Sequence, residues 1–313
     1  MAIAQKIFRD RKQMNALISI IIPSYGSPFY LGKAIKSVQE QAFKEWELIV
    51  VDDNNPDTAA RKETEEVMRN VSENDDRIIY IQHPRNLNGA AARNTGLSKA
   101  CGKYIAFLDS DDEYCPGRLQ ICYNVMEKAP AYVAGIYSGC EFRRKGKKYH
   151  VERTIPSGNF LVQTLACTFK FCTGSNIFVR KSVVDELNGF DATFLRHQDY
   201  EFLVRLFKKY SLIGISEVLV IKNNDDVNLP NVEKLIVIKK QYLNKFDDII
   251  KGLSQKDKNY VFQSNYIGVA EVAMGQKSYD VANVYYQSAK QYGPLPVRVW
   301  LRRLAFTILK YLN

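Results

Sequence analysis

Four short, continuous apolar runs alternate with amphipathic stretches over the first 110 residues. "ALISIIIPSY" (16–25) reads as a buried strand ended by Pro23. "PFYLGKAIKSVQEQA" has helical spacing, with Leu31, Ile35 and Val38 on one face. "WELIVVDDNN" is a second strand, residues 57 to 72 a charged helix, and "RIIYIQH" a third strand. "NGAAARNTGLSKA" is a helix of small residues, and "KYIAFLDSDD" a fourth strand. Pro116 then opens another helix, where its missing N–H costs nothing. Apolar strands alternating with helices predict a parallel sheet covered on both faces.

The pattern changes from about residue 131. "AYVAGIYSGCEFRRKGKKYHVE" predicts strands around a basic turn, Arg143 to Lys148. "CTGSNIFVRK" reads as a strand, "HQDYEFLVRLFKKY" as a helix, and "LIGISEVLVIK" as a strand again. Beyond Asn228 the chain reads as helical. Two helical patterns over 257–291 break near Gly275–Gln276. The spacing of Gly275, Tyr279, Ala282, Tyr286, Ala289 and Pro294 is similar to one tetratricopeptide unit. Two helices packed on the rest of the chain explain it more simply. The expected division is residues 1–228 as one α/β domain, with halves over about 16–130 and 131–228, followed by a helical region over 229–313.

Composition alters this picture little: 46% hydrophobic and 25% charged residues suit a folded chain of 313 residues. The formal net charge of +10 favours anionic partners without choosing among them. Six cysteines without a CxxC pair, and only three histidines, argue against a zinc site. They suit reduced thiols in a cytosolic protein. "MAIAQKIFRDRKQ" lacks the apolar core of a signal peptide, and no run is long enough to span a bilayer. The final segment, "PVRVWLRRLAFTILKYLN", sets Val297, Leu301, Leu304, Ile308 and Leu312 along one face. With Arg298, Arg302, Arg303, Lys310 and Trp300, it suits a helix lying on an anionic membrane; a helix docked on its own protein is the plainer alternative.

Candidate chemistry sits at two strand ends, where open α/β sheets bind ligands. Asp109 and Asp111 are two residues apart in extended chain, so both can face one side. Two carboxylates repel unless one is protonated or a cation lies between them. Mn2+ or Mg2+ would resolve the conflict and accept phosphate oxygens beside them. A solvated acidic turn is the bland alternative. Asp52 and Asp53 end a neighbouring strand, where a carboxylate can accept from a nucleobase N–H or ribose hydroxyls. The helix opening at Gly89 offers backbone N–H groups and carries Arg93, a fork for phosphate or carboxylate. An Ala-rich packed helix with a surface arginine is the alternative there.

"ISIIIPSYGSPFYLGKAIKSVQEQ", "WELIVVDDNNPD", "NLNGAAARNTGL", "GKYIAFLDSDDEY", "TGSNIFVRK" and "GFDATFLRHQDYEFLVRL" occur in that order. Together they resemble glycosyltransferase family 2 over roughly residues 16 to 222. The resemblance implies an α/β GT-A (Rossmann-like) fold, a mixed and mostly parallel sheet flanked by helices with a C-terminal helical extension. It also implies a nucleotide-sugar donor, a divalent cation (Mn2+ or Mg2+) and inversion at the anomeric carbon. The first half of the domain would bind nucleotide and the second the acceptor. Pro23 and Tyr25 match the family's nucleotide-pocket signature. Asp53 matches the carboxylate that reads the base, with Asp52 beside it, and Arg93 matches the arginine of the nucleotide-side helix. Asp109 and Asp111 match the D-x-D pair, the first toward ribose and metal, the second toward metal and diphosphate. Asp199 matches the catalytic base, although an N-terminal helix carboxylate placed for the dipole has the same appearance. Arg205 and Gln198 are candidate diphosphate or acceptor contacts.

The sequence departs from the family pattern at Gly26, where relatives often have Asn, and at Gln198, where the base is usually preceded by Glu. "VIKNNDDVN" also lacks the histidine many relatives carry after the strand that follows the base helix. No Q-x-x-R-W element follows Asp199, which argues against a processive synthase. The expected protein is a non-processive, inverting, metal-dependent glycosyltransferase of surface polysaccharide synthesis. It would use a UDP-sugar and a glycan or lipid-linked glycan acceptor. It is expected in the cytoplasm, peripheral at the inner face of the plasma membrane, with no nucleic-acid partner. Competing readings are a haloacid-dehalogenase-type phosphatase with Asp109 as nucleophile, a nucleotidyltransferase acting on sugar phosphates, and a non-enzymatic membrane-docked scaffold. "PSYGSPFY" lacks the basic residues of a nucleotidyltransferase loop, and Walker A and G-x-G-x-x-G loops are absent.

Overall fold

A computed structural model describes residues 16–26, 28–72, 75–225 and 230–301. Leu304, Ile308, Leu312, Arg302, Arg303 and Lys310 of the expected tail helix lie outside the described residues. The described chain divides into two compact units: residues 1–159 with 171–226, and residues 160–170 with 227–313.

The first unit is built on nine strands: β1 (Ile18–Ser24), β2 (Trp46–Asp52), β3 (Ile78–Gln82), β4 (Tyr104–Phe107), β5 (Glu113–Tyr114), β6 (Val133–Arg144), β7 (Lys147–Glu152), β8 (Phe178–Arg180) and β9 (Ser211–Asn223). Their order is β3-β2-β1-β4-β8-β6-β9-β5, with β7 paired to β6. The first four strands are parallel to one another. β8 runs against both β4 and β6, and β9 is parallel to β6. The carboxyl ends of β1, β2, β4, β6 and β9 therefore share one edge of the sheet. This is the mixed α/β arrangement that the family resemblance implied.

The continuous apolar runs are explained by burial on two faces. Ile18, Ile20 and Ile22 pack in one core with Leu31, Ala34, Ile35 and Val38 of helix Leu31–Gln39. On the opposite face Ile21 packs against helix Gly89–Leu97, so closely that a β-carbon at Gly96 would fall 2.5 Å from its Cγ2. Helix Ala59–Ser72 connects β2 to β3.

Two expected boundaries shift. Pro23 lies inside β1, in register with Val51, rather than ending it. Alternate residues of β1 face β4, where Ile21 O accepts from Leu108 N at 3.0 Å. β4 stops at Phe107, so the side Pro23 faces has no strand that needs its N–H. The helix expected to open at Pro116 spans Arg118–Lys128 instead, because the short strand β5 intervenes and Gly117, at φ +80°, turns the chain as N-cap.

The second unit is helical: Leu161–Leu165, Val232–Lys245, Asp247–Lys251, Gln255–Gly275 and Tyr279–Lys290. Val232, Leu235, Val269, Ala273, Ala282 and Tyr286 are among its core residues. Residues 160–170 pack in this unit with the chain after 227: the Thr164 carbonyl accepts from Tyr242 Oη at 2.7 Å and the Leu165 carbonyl from Asn265 Nδ2 at 2.9 Å.

Candidate active site

The acidic residues that end β2 are buried and internally satisfied. Asp52 Oδ1 accepts from Asn54 N and Nδ2, both at 2.9 Å. Its Oδ2 accepts from Tyr80 Oη and stands 3.2 Å from Arg61 Nε. Asp53 Oδ1 pairs with His83 Nδ1 at 2.7 Å and accepts from Leu87 N at 2.8 Å. Its Oδ2 accepts from Asn86 Nδ2 and Asn88 N, both at 2.9 Å. A carboxylate has about four acceptor positions; those of Asp53 are occupied by neighbours in this structure, and Asp52 accepts three hydrogen bonds and has the ion pair to Arg61 beside it. Both carboxylates tie the loop over residues 83–88 to the end of β2. Asp53→Ala is expected to lower unfolding free energy by about 3 kcal/mol or more, because it strands several buried donors. Faster amide exchange at Leu87 and Asn88 would locate the loss, and unchanged exchange there would refute the assignment.

Pro23 lies in β1 and Tyr25 directly follows it. Tyr25 is 66% exposed at the end of the strand and Pro23 is half-buried. Gly26 N donates to Asn54 Oδ1 at 2.8 Å, which fixes this turn to the end of β2. The N-terminus of helix Gly89–Leu97 is less available than the sequence suggested. Asn88, at φ +82°, caps it by accepting from Ala90 N and Ala91 N. Two of the amides that could have met phosphate are thereby used.

Arg93, one turn into that helix, is buried and joins two parts of the site. Its Nη2 donates to Asp109 Oδ1 at 2.7 Å and its Nη1 to Gln198 Oε1 at 3.0 Å. Burial works against its charge, but Asp109 and Asp199 outweigh it and raise its pKa. Gln198 Nε2 donates to Phe194 O at 2.8 Å. An amide is required to accept at one end and donate at the other, which explains Gln where relatives carry Glu. Gln198 thus links Arg93 to the Phe194 carbonyl. Arg205 is also committed elsewhere. It forks onto Glu201 at 2.7 Å through Nε and Nη2, and donates to the carbonyls of Leu187 and Gly189. Four of its five N–H groups are bonded to Glu201 and to these two carbonyls in this structure.

Asp109, Asp111 and Asp112 follow β4, with one ligand oxygen from each within 4.8 Å of the others. Burial would raise the Asp109 carboxyl, but Arg93, reinforced by Lys222, holds it below the usual carboxylate range. Asp111 is the exposed member. Asp112, unassigned by the sequence, is fully enclosed. Its Oδ2 accepts from Ser175 Oγ at 2.6 Å and Thr173 Oγ1 at 2.9 Å. Burial pushes its carboxyl up to about 8 despite the Lys222 charge, and Asp111 and Asp109 add to the rise. The donor set suits a hard divalent cation, with Asp109 and Asp111 presenting oxygen toward solvent and Asp112 held behind them.

The loop Thr173–Asn176 is a part of the site that the sequence reading took for plain strand. Asn176 Oδ1 accepts from Ser138 N at 2.9 Å, and its Nδ2 donates to Ser138 O at 2.6 Å. Arg118, wholly buried, donates to the Ser175 carbonyl at 3.2 Å. These bonds set Thr173 and Ser175 beneath the acids. The run of small polar residues in "CTGSN" was the available signal. Gly174 leaves space for Asp199, since a β-carbon there would stand 3.1 Å from Asp199 Oδ1.

Asp199 opens helix Gln198–Phe207, after His197 in a left-handed conformation at φ +61°. Its carboxylate is half-buried and accepts no side-chain hydrogen bond from the described residues. Burial raises its pKa against the opposing charge of Arg93, and Asp109 adds to the rise. A carboxylate with an unspent acceptor and a raised proton affinity can act as a general base.

An acid cluster that could hold a cation, with a further carboxylate beside it at the carboxyl edge of a Rossmann-like sheet, is consistent with a GT-A architecture. The same fold occurs in S. aureus TarS with UDP-GlcNAc, at TM-score 0.55 and 15% identity over 89% of this chain and 93% of that one. It also occurs in the Pyrobaculum calidifontis mannosyltransferase PcManGT with GDP-Man and Mn2+, at TM-score 0.55 and 15% identity over 97% and 92%. The chain belongs to glycosyl transferase family 2, whose profile matches residues 19–187, more than half of its length. It is 31% identical over 185 residues to a Campylobacter jejuni GalNAc(5)-diNAcBac-PP-undecaprenol β-1,3-glucosyltransferase, covering 56% of this chain and 57% of that protein. That match spans less than two thirds of the relative. A second relative is the Escherichia coli UDP-Glc:α-D-GlcNAc-diphosphoundecaprenol β-1,3-glucosyltransferase WfgD, 29% identical over 64% of this chain and 73% of that one.

Proposed function

We propose that this chain is a non-processive, inverting glycosyltransferase that moves a sugar from a nucleotide-sugar donor, a UDP-sugar by preference, to a hydroxyl of a lipid-linked glycan in surface polysaccharide synthesis. The observation that carries the reading is the bridge of Arg93 from Asp109 to Gln198, the residue before Asp199, with the charges of Asp109 and Asp199 both acting on Arg93. The acceptor class and the uridine preference draw support from the printed names of the two relatives.

Asp199 takes the acceptor's proton as its oxygen bonds to the anomeric carbon. The bond from that carbon to the diphosphate breaks on the opposite face, its electron pair leaves with the nucleotide, and configuration inverts. Asp109 and Asp111 would hold the divalent cation, which when bound offsets the charge gathering on the leaving diphosphate. Tyr25 offers an exposed ring for the base. Arg93 keeps Asp109 ionised and balances the negative charge around Asp199.

Asp111→Ala is expected to weaken Mn2+-dependent UDP binding at least about tenfold, read by calorimetry, because the exposed carboxylate of the proposed cation-binding pair is lost. Undiminished affinity would remove Asp111 from the metal site. A GDP arm tests the base preference.

The reading also places the protein at an anionic membrane surface. No helix among the described residues is long and apolar enough to cross a bilayer. The support is the alternation of Arg298, Arg302, Arg303 and Lys310 with apolar residues near the end of the sequence. Deleting residues 296–313 is expected to abolish sedimentation with anionic vesicles while donor hydrolysis persists; unchanged sedimentation would exclude this role.

A further inference from the structure

Lys222 takes no part in the proton transfer, yet it stands among the carboxylates of both the base and the cation site. Strand register places it there. Lys222 pairs with Phe142 of β6, and Ile221 before it pairs with Glu113 of β5. Asn223 after it donates from its backbone N–H to Asp112 Oδ1 at 3.3 Å, and from Nδ2 to Asp111 O at 2.8 Å and Glu113 Oε1 at 3.2 Å. The Asn223 side chain takes the Glu113 side of the strand. By alternation Lys222 takes the other, where its charge acts on Asp112 and on Cys140 of β6.

Lys222 is half-buried and makes no direct ion pair with a described carboxylate. Burial opposes its charge, but Asp112, Asp109, Asp111 and Asp199 together outweigh burial and raise its pKa. The charges of all four acids thus favour the ammonium, with no single one of them as its ion-pair partner.

We propose that Lys222 is the resident cation of the acidic cluster: it neutralises the acids in the empty site, keeps free divalent metal out, and turns to the diphosphate oxygens when donor and metal enter together. The inference rests on Asp109 and Asp111 being the metal-binding pair. Its consequence is an order of events, in which metal binds with the nucleotide rather than before it. Removing the lysine should have opposite effects on two ligands: metal alone binds more tightly, and nucleotide without metal binds more weakly.

The test uses the full chain as wild type, Lys222→Met and the charge-keeping Lys222→Arg. Mn2+ alone is titrated and followed by the electron paramagnetic resonance signal of the free ion. Lys222→Met is expected to bind Mn2+ at least about tenfold more tightly than wild type, the scale of one unit charge removed from a site near the protein surface. Lys222→Arg should match wild type. In the second arm, UDP is titrated in EDTA, and Lys222→Met should bind it at least about tenfold more weakly for the same reason. Equal Mn2+ affinity in the three proteins overturns the proposal. Should Lys222→Met not fold, wild type alone still decides. Its Mn2+ affinity must rise at least about tenfold when UDP is present, and an unchanged affinity overturns the proposal. The two readings fail separately. Loss of all UDP and GDP binding with the Mn2+ arm as expected would sink the donor reading and leave the resident cation standing. Normal Mn2+–UDP binding that ignores position 222 would do the reverse.

Discussion

Asp199→Asn is expected to cut turnover of sugar transfer by about 10²–10⁴-fold, the range a positioned general base contributes, while nucleotide affinity stays within about twofold. The substitution preserves shape and removes only the ability to take a proton. Asp199 accepts no side-chain hydrogen bond from the described residues, so Asn breaks little. It also relieves one negative charge beside Asp109, so stability should not fall. The pH dependence of the wild type gives an independent check. A base must be ionised to work, and burial makes Asp199 keep its proton to higher pH than an ordinary aspartate. Turnover should therefore fall as pH drops through a midpoint above the usual aspartate value, and Asp199→Asn should lose that limb. Near-normal turnover in the variant would remove Asp199 as base.

Arg93→Met should be the most disruptive single change to the site. The Arg93 side chain is 9% exposed and that of Asp109 27%, so their contact at 2.7 Å is largely withdrawn from water. Breaking such a pair by deleting one partner leaves a charge uncompensated, at a cost of about 3–5 kcal/mol. Here Asp109 loses its partner and Gln198 loses a donor. The urea midpoint should drop accordingly, and Mn2+-dependent UDP binding should fall with it. Arg93→Lys tests geometry against charge. One ammonium cannot reproduce the fork that reaches Gln198 and Asp109 together, so lysine should recover only part of the loss. An unfolding free energy for Arg93→Met within about 0.5 kcal/mol of wild type, the size of an ordinary surface change, would show that the bridge contributes nothing.

Much of the nucleotide half was legible because its strands are buried on both faces. Ile18 through Ile22 can be apolar at nearly every position only where helices cover each side. The cluster of Asp109 and Asp111 was legible from residue type and spacing, and Asp199 stood out only through the family resemblance. What the sequence could not give was each side chain's partners distant along the chain. Arg205 bonds Glu201 and two backbone carbonyls. Asp53 accepts from residues of the 83–88 loop.

The sequence by itself determined the alternation of strands and helices, the acidic ends of β2 and β4, and the membership of these motifs in one family. All of these are local patterns, set by periodicity and residue type within short windows. Only the tertiary structure decided which carboxylates remain open and which are consumed. It joined Arg93 to Gln198 across 105 positions, set Thr173 and Ser175 beneath Asp112, and brought Lys222 to where the charges of four acids act on it. Acceptor sites are finite, and a carboxylate's availability depends on every donor the fold brings to it, whatever the distance along the chain.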